Sequence, residues 1–294
     1  MQLFLGGIIS GIAVGALYGL LGFAVIILLK ATGVPNFAQG AQATLAAFIV
    51  YELVQSFHLS FWLAFVAAVP LVAISGAVFY ALALRPNDDA DHLNFIIRTL
   101  ALSLLIIGAV NAKWAAGQPF TFPRVISGDA AFVLAGVSVS WLTIGTILIA
   151  LSLASGFAWF FYRTPLGLQF LGVADRPDIA TLLGVRTRRL TAIAWALAAL
   201  ISLVTGVLVA PRTLLSSDMM DFYLLYSFTA AVIGGLTSMW GVFVGGLLVG
   251  CVNNLVTIYA GPDLGTIAVF LLLIAVLLLR PAGIFGDASL IERL

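Results

Sequence analysis

Runs of 18 or more apolar residues recur along this chain, and each is long enough to cross a bilayer. Hydrophobic residues make up 63% of the sequence and charged ones 9%, where a soluble domain carries about 25% charged residues. Lipid is therefore the main solvent of this chain, and the expected class is an all-α polytopic integral membrane protein. Nucleic-acid binding is excluded because no basic patch is present. The lone Cys251, inside an apolar run, excludes an internal disulfide and a cysteine-based metal site. The first run has no basic leader and is too long for a signal-peptide core, so it reads as a retained helix.

The runs fall at Leu3–Leu29, a second run after Pro35, Phe61–Leu84, Asn94–Ala112, Trp141–Tyr162, Thr191–Ala210, Phe222–Tyr259 and Leu264–Leu279. The seventh is too long for one ordinary helix and is interrupted at Gly234–Gly241, so the expected count is eight or nine crossings. A single transmembrane domain over residues 1–294 is expected. Gly7, Gly11, Gly15 and Gly19 recur every fourth residue, forming one ridge on the first helix, and Gly245, Gly246 and Gly250 repeat that spacing later. Small residues so spaced let membrane helices approach closely, and a glycine-lined pore wall is the other reading.

Two stretches break the apolar pattern in an informative way. After the turn Gly33-Val34-Pro35, the next helix begins with Asn36, Phe37, Gln39, Gly40 and Gln42. Uncharged amides there either satisfy a broken backbone, contact a polar solute, or simply mark an interfacial helix end. The second stretch is the polar island Tyr162–Leu190. It holds Arg163, Arg176, Arg186, Arg188 and Arg189 against two acids, Asp175 and Asp178. Its interior, with Ile179, Leu182, Leu183 and Val185 among Ala174, Ala180 and Gly184, suits a short amphipathic helix ending at a glycine.

Basic residues concentrate on the cytosolic side of membrane proteins. Placing the island inside also places Lys30, Arg85 and Arg98 inside and leaves Lys113 and Arg124 outside, with the N-terminus outside. Beyond the sixth run the side of the C-terminus stays open.

Much familiar chemistry is missing. No Gly-x-x-x-x-Gly-Lys-Ser/Thr occurs, so the chain has no P-loop for nucleotide. No Gly-x-Ser-x-Gly, His-Glu-x-x-His or intramembrane carboxylate pair is present, and His58 and His92 lack neighbours of ligand type. A membrane-embedded enzyme has no nucleophile, base or metal set to work with, and no metal or other cofactor is expected. Ion-driven transporters embed ionisable residues at mid-membrane, yet Glu52 is the one acid within a run and lies near its end. Energy is expected from outside the chain.

Four motifs in order resemble the Liv-type permease subunits of ABC importers for branched-chain amino acids. They are Gly33-Val34-Pro35-Asn36-Phe37-Ala38-Gln39-Gly40-Ala41, Ala174-Asp175-Arg176-Pro177-Asp178-Ile179-Ala180-Thr181-Leu182-Leu183-Gly184-Val185, the Gly234–Asn254 stretch, and Arg280-Pro281-Ala282-Gly283-Ile284-Phe285-Gly286. The resemblance covers almost the whole chain and implies an ABC importer permease fold. It implies cytosolic ATPase subunits that bind the ATP and dock on Ala174, Asp175, Ala180, Leu182, Leu183, Gly184 and Val185 within the coupling loop 163–190. A second homologous permease and a periplasmic or extracellular solute-binding protein are implied as partners, in a bacterial inner membrane. Asn36, Phe37, Gln39, Gly40 and Gln42, with Gly234, Gly235, Ser238 and Gly241, are the implied solute pathway. Gln39 stands where the family has histidine and Ala41 where it has an acid, which leaves urea, amides and aromatic acids beside the branched-chain amino acids as solutes. An ion-coupled secondary transporter is the reading from a different class.

Overall fold

Because lipid offers no hydrogen bonds, the apolar runs close their backbones on themselves, and helices dominate the structure. It is a computed structural model describing residues 1–83, 92–115, 118–123, 129–134, 136–175, 180, 182 and 184–286. The helices are α1 (Gln2–Thr32), α2 (Gln39–Gln55), α3 (Phe61–Ala83), α4 (His92–Val110), α5 (Trp141–Arg163), α6 (Pro165–Asp175), α7 (Thr187–Val209), α8 (Asp221–Gly234), α9 (Met239–Ala260) and α10 (Pro262–Leu279). A π-turn, Asn111–Ala115, prolongs α4.

Seven helices among the described residues are long and apolar enough to cross a membrane. One shorter apolar helix, α8 with 14 residues, stands beside them, in approximate agreement with the eight or nine expected from sequence. Before α5 the chain forms a hairpin of β1 (Ala130–Leu134) and β2 (Val137–Ser140), in which Leu134 pairs with Val137. Gly136 turns it at φ +83°.

Burial sorts the helices. Of the most apolar stretch of α1, 83% is buried, and of α7 67%, against 22% for α3 and α4 and 11% for α10. The outer helices leave residues such as Leu63, Leu104 and Leu278 exposed, as side chains facing lipid must be.

The chain divides into two units. One comprises Met1–Phe23, Arg124–Ala158 and Tyr223–Leu294. Here α1 lies antiparallel against α9, with backbones in contact along the glycine ridge. A Cβ on Gly11 would stand 2.8 Å from Cys251 Cα, one on Gly15 2.8 Å from Leu247 Cα, and one on Gly19 3.0 Å from Phe243 Cα. Gly7 faces the Leu255 side chain, and Gly245 meets the backbone of α8 at Ala230 and Gly234. Beside this seam the Tyr18 ring lies 5.3 Å from Tyr223 and 5.1 Å from Tyr226. The Tyr226 hydroxyl shares a 2.8 Å hydrogen bond with Thr266 of α10.

The other unit comprises Ala24–Pro123 and Trp159–Phe222 and is built around α7. Gly206 lets the Ala43 backbone of α2 approach, and Gly76 of α3 lies against Trp195.

Candidate solute site and coupling segment

Gly33, at φ +72°, ends α1, and Pro35 prevents an immediate new helix. The Asn36 Oδ1 then accepts the Ala38 N–H at 2.9 Å, an Asx turn that starts α2. Its amide nitrogen donates to Gln39 Oε1 at 3.0 Å. Gln39 Nε2 in turn donates to the Ala198 carbonyl at 3.0 Å and to the Ser202 hydroxyl. The Phe37 N–H reaches Thr99 Oγ1 of α4 at 3.4 Å. Asn36 and Gln39 are fully engaged with protein and buried, at 1% and 0% exposure.

Depth follows from these partners. Ala198 is eleven residues from either end of α7, which puts it about 16 Å along the helix. The amide turn at Asn36–Gln39 therefore lies against the middle of α7 and not beside either of its ends. Helix α2 continues parallel to α7, with Ala43 at the level of Gly206, and its second half passes the end of α7. There Phe48 stacks on Trp114 at 5.4 Å, and Phe120 pairs through its backbone with Leu215. Trp114 also donates to Glu52, and Lys113 Nζ lies 3.7 Å from the same carboxylate.

Gln42 differs from its neighbours. It is 3% exposed, and neither its Oε1 nor its Nε2 has a partner among the described residues. The hydroxyl of Thr44, 1% exposed, is likewise unpartnered. Gly40 is buried and Phe37 half-buried on the same turns.

Gln39→Leu tests the network. It would leave the Asn36 amide nitrogen buried without its partner, at about 1–3 kcal/mol, and reduce Ser202 to its 3.5 Å bond with the backbone carbonyl of residue 39. The expected result is a clear fall in the thermal midpoint of the protein in nanodiscs, and an unchanged midpoint would refute the pairing.

The second broken segment belongs to the other unit. Helix α8 ends at Gly234, Gly235 adopts φ +102°, and Ser238 caps α9 by accepting the Gly241 N–H at 3.0 Å. Residues Arg280–Gly286 fold onto this break. The Ile284 N–H donates to the Ile233 carbonyl at 2.8 Å and the Phe285 N–H to that of Gly234 at 3.1 Å. A Cβ on Gly235 would lie 2.7 Å from Gly286 Cα, and Gly234 and Gly241 touch backbone to backbone. These glycines thus serve close packing, and two motifs that are separate in sequence form one structural feature.

In the island, α6 ends with Ala174 and Asp175. Ala180 is buried, at 6% exposure, while Leu182 is 86% exposed, and both are helical. Gly184, at φ +83°, stops this segment, and the Val185 N–H donates back to the Ala180 carbonyl at 3.0 Å. That is a Schellman closure, for which a residue with a Cβ is strained. Leu183 of the expected docking set lies outside the described residues, as do Arg176–Ile179 and Thr181.

Comparison with known proteins decides the family. The family model described as "Branched-chain amino acid transport system / permease component" matches residues 7–279. The chain belongs to that family. Among similar relatives is "Probable branched-chain amino acid transport permease protein LivH" of Methanocaldococcus jannaschii, 27% identical over 90% of this chain and 87% of that one. The permease protein BraD of a high-affinity branched-chain amino acid transport system in Pseudomonas aeruginosa is 25% identical over 96% of each chain. LivH of Escherichia coli K12 is 24% identical over 96% of each. The solved structure titled "PsaBC from Streptococcus pneumoniae in complex with Fab" matches 94% of this chain and 91% of its own with TM-score 0.48 at 12% identity, too low to carry an argument. The permease is thus a multi-pass membrane component of a transport system. Sequence reasoning did not reach Ala198, Ser202 and Thr99, the partners of the amide turn, because nothing local marks an apolar-helix serine or threonine as the mate of a distant amide.

Proposed function

We propose that this permease forms the translocation pathway of an ABC importer for branched-chain or related amino acids. ATP is bound and hydrolysed by cytosolic ATPase subunits, in keeping with a chain that carries no P-loop. A second homologous permease completes the pathway, and an external binding protein delivers the solute. The membrane is the cell (inner) membrane, with the N-terminus outside and residues 163–190 cytosolic, the orientation that the positive-inside rule favours.

The observation that carries the coupling assignment is Leu182. It is an apolar side chain left 86% exposed on a helical segment that Gly184 closes, within a basic loop. A helix that offers an apolar face in water is suited to a groove on another protein. Ala174, Asp175, Ala180, Leu183, Gly184 and Val185 complete the proposed docking segment. For the pathway, support comes from the amide turn against the middle of α7. We place the solute against the Asn36–Gln42 turns.

The test is a pull-down of the tagged permease from native membranes, with mass spectrometry of the proteins that co-purify. An ATPase subunit, with a second permease, is the expected result. A chain that emerges alone in mild detergent and still moves solute in vesicles would overturn the proposal in favour of an ion gradient.

A further inference from the structure

We infer that a cleft where four helix ends meet binds the phosphate head group of an anionic phospholipid, with Arg188 and Thr187 as the groups that hold it. The cleft has a volume of about 240 Å³ and is lined by Thr32 of α1, Tyr80 of α3, Phe95 of α4, and Thr187, Arg188 and Thr191 of α7. All six belong to the unit built around α7. They sit in the last turns of α1 and α3 and the first turns of α4 and α7, so chain ends far apart in sequence meet at one level. The orientation proposed above makes this the cytosolic leaflet. Basic pockets between membrane helices on that side suit anionic head groups.

Charge selects an anion. The lining has Arg188 and no acid among the described residues, the first turn of α7 has no acid, and Lys30 stands in the last turn of α1. The arginine fork matches two oxygens of a phosphate. Thr32 and Thr191 donate their hydroxyls to the carbonyls of Leu28 and Thr187, which leaves the Thr187 hydroxyl as the donor for a ligand. Size narrows the choice, because the volume is below the roughly 300–1,000 Å³ of pockets for drug-sized ligands. That suits a head group better than a nucleotide. The setting then favours a lipid over a free phosphate. Tyr80 and Phe95 give the cleft an apolar side, and Leu82, Leu93 and Ile97, each two residues from one of them, are exposed. Acyl chains can lie on that surface, which a soluble anion does not use. Thr187 is three residues past Gly184, so a head group held here also fixes the membrane end of the proposed docking segment. The connection between α3 and α4 carries Asp88, Asp89 and Asp91, whose carboxylates are the competing anions to be tested.

The experiment is native mass spectrometry of the purified, delipidated complex, titrated with phosphatidylglycerol or with phosphatidylcholine of the same acyl chains. The wild type is expected to hold phosphatidylglycerol at least tenfold more tightly. Arg188 is exposed, so Arg188→Gln spares the fold and is expected to remove this preference. Thr187→Val should weaken it severalfold. Arg189→Gln deletes the same charge one residue on, outside the lining, and should keep it. Equal phosphatidylglycerol affinity in wild type and Arg188→Gln overturns the assignment. So does an equal loss in Arg188→Gln and Arg189→Gln, which would mean a general attraction to basic surface. Glycerol phosphate competing as well as the intact lipid would overturn it in favour of a soluble phosphate ester. Binding that appears only when Asp88, Asp89 and Asp91 are all replaced by asparagine would overturn it in favour of that connection as the occupant. Lipid binding is read without ATP or solute, so the inference can fail while the importer reading stands.

Discussion

Replacing Gly246 by leucine is expected to abolish folded permease. A Cβ there would stand 2.6 Å from both the Gly15 carbonyl oxygen and Gly19 Cα, and backbone atoms cannot swing aside as a side-chain tip can. The rest of the leucine would drive α1 and α9 apart by ångströms. Parting them also undoes the tyrosine cluster around Tyr18, whose neighbours Tyr223 and Tyr226 sit beside the seam. Without a hydrophobic drive between helices in lipid, close van der Waals contact is the main source of association, so little remains to compensate. The loss exceeds about 4 kcal/mol, the range reserved for core disruption. Gly156→Leu in α5 is the control, since a Cβ there meets nothing within 4 Å. Yield of monodisperse protein by fluorescence-detected size exclusion reads both variants. Equal peaks would mean that the α1–α9 seam is not held as described.

Leu182→Asp is expected to separate transport from ATP hydrolysis without harming the fold. At 86% exposure the substitution removes no internal packing, so the stability of the permease itself should move by less than about 0.5 kcal/mol. Docked in a groove, the same aspartate would be a buried charge without a partner, which costs several kcal/mol. Co-purification of the ATPase should fall at least tenfold, and solute uptake should fall with it. Gly184→Asp should weaken docking by a different route, because at φ +83° an aspartate strains the closure that shapes the segment. Full uptake in both variants would refute the coupling role of residues 174–185.

These features were legible from sequence to different degrees, according to how local their cause is. The glycine ridge is visible because four-residue spacing puts Gly7 to Gly19 on one face whatever lies opposite. The terminal Gly184 is visible for a similar reason, as a helix stop needs a left-handed residue at one position. What the ridge touches is another matter, since Gly11 and Cys251 meet only when the chain has folded. The amide turn shows the same limit: Gln39 and Ser202 are 163 residues apart in sequence. Read locally, Asn36, Gln39 and Gln42 are three equivalent amides. Only the partners distinguish the two that hold α2 in place from the one that holds nothing. The closure of the Gly234–Gly241 break by Arg280–Gly286 was hidden in the same way, as two motifs with no local reason to meet.

The seam between α1 and α9 also has a consequence for how the protein is made. Its two halves, Gln2–Thr32 and Met239–Ala260, are separated by more than 200 residues of intervening chain. At about 5–20 residues per second of synthesis, α1 waits on the order of 10–40 seconds in the bilayer before its mate is made. Throughout that interval its glycine face, which accepts only another backbone at close range, is covered by nothing but lipid or a transient guardian. A helix made more than 200 residues before its mate is thus late to find its place.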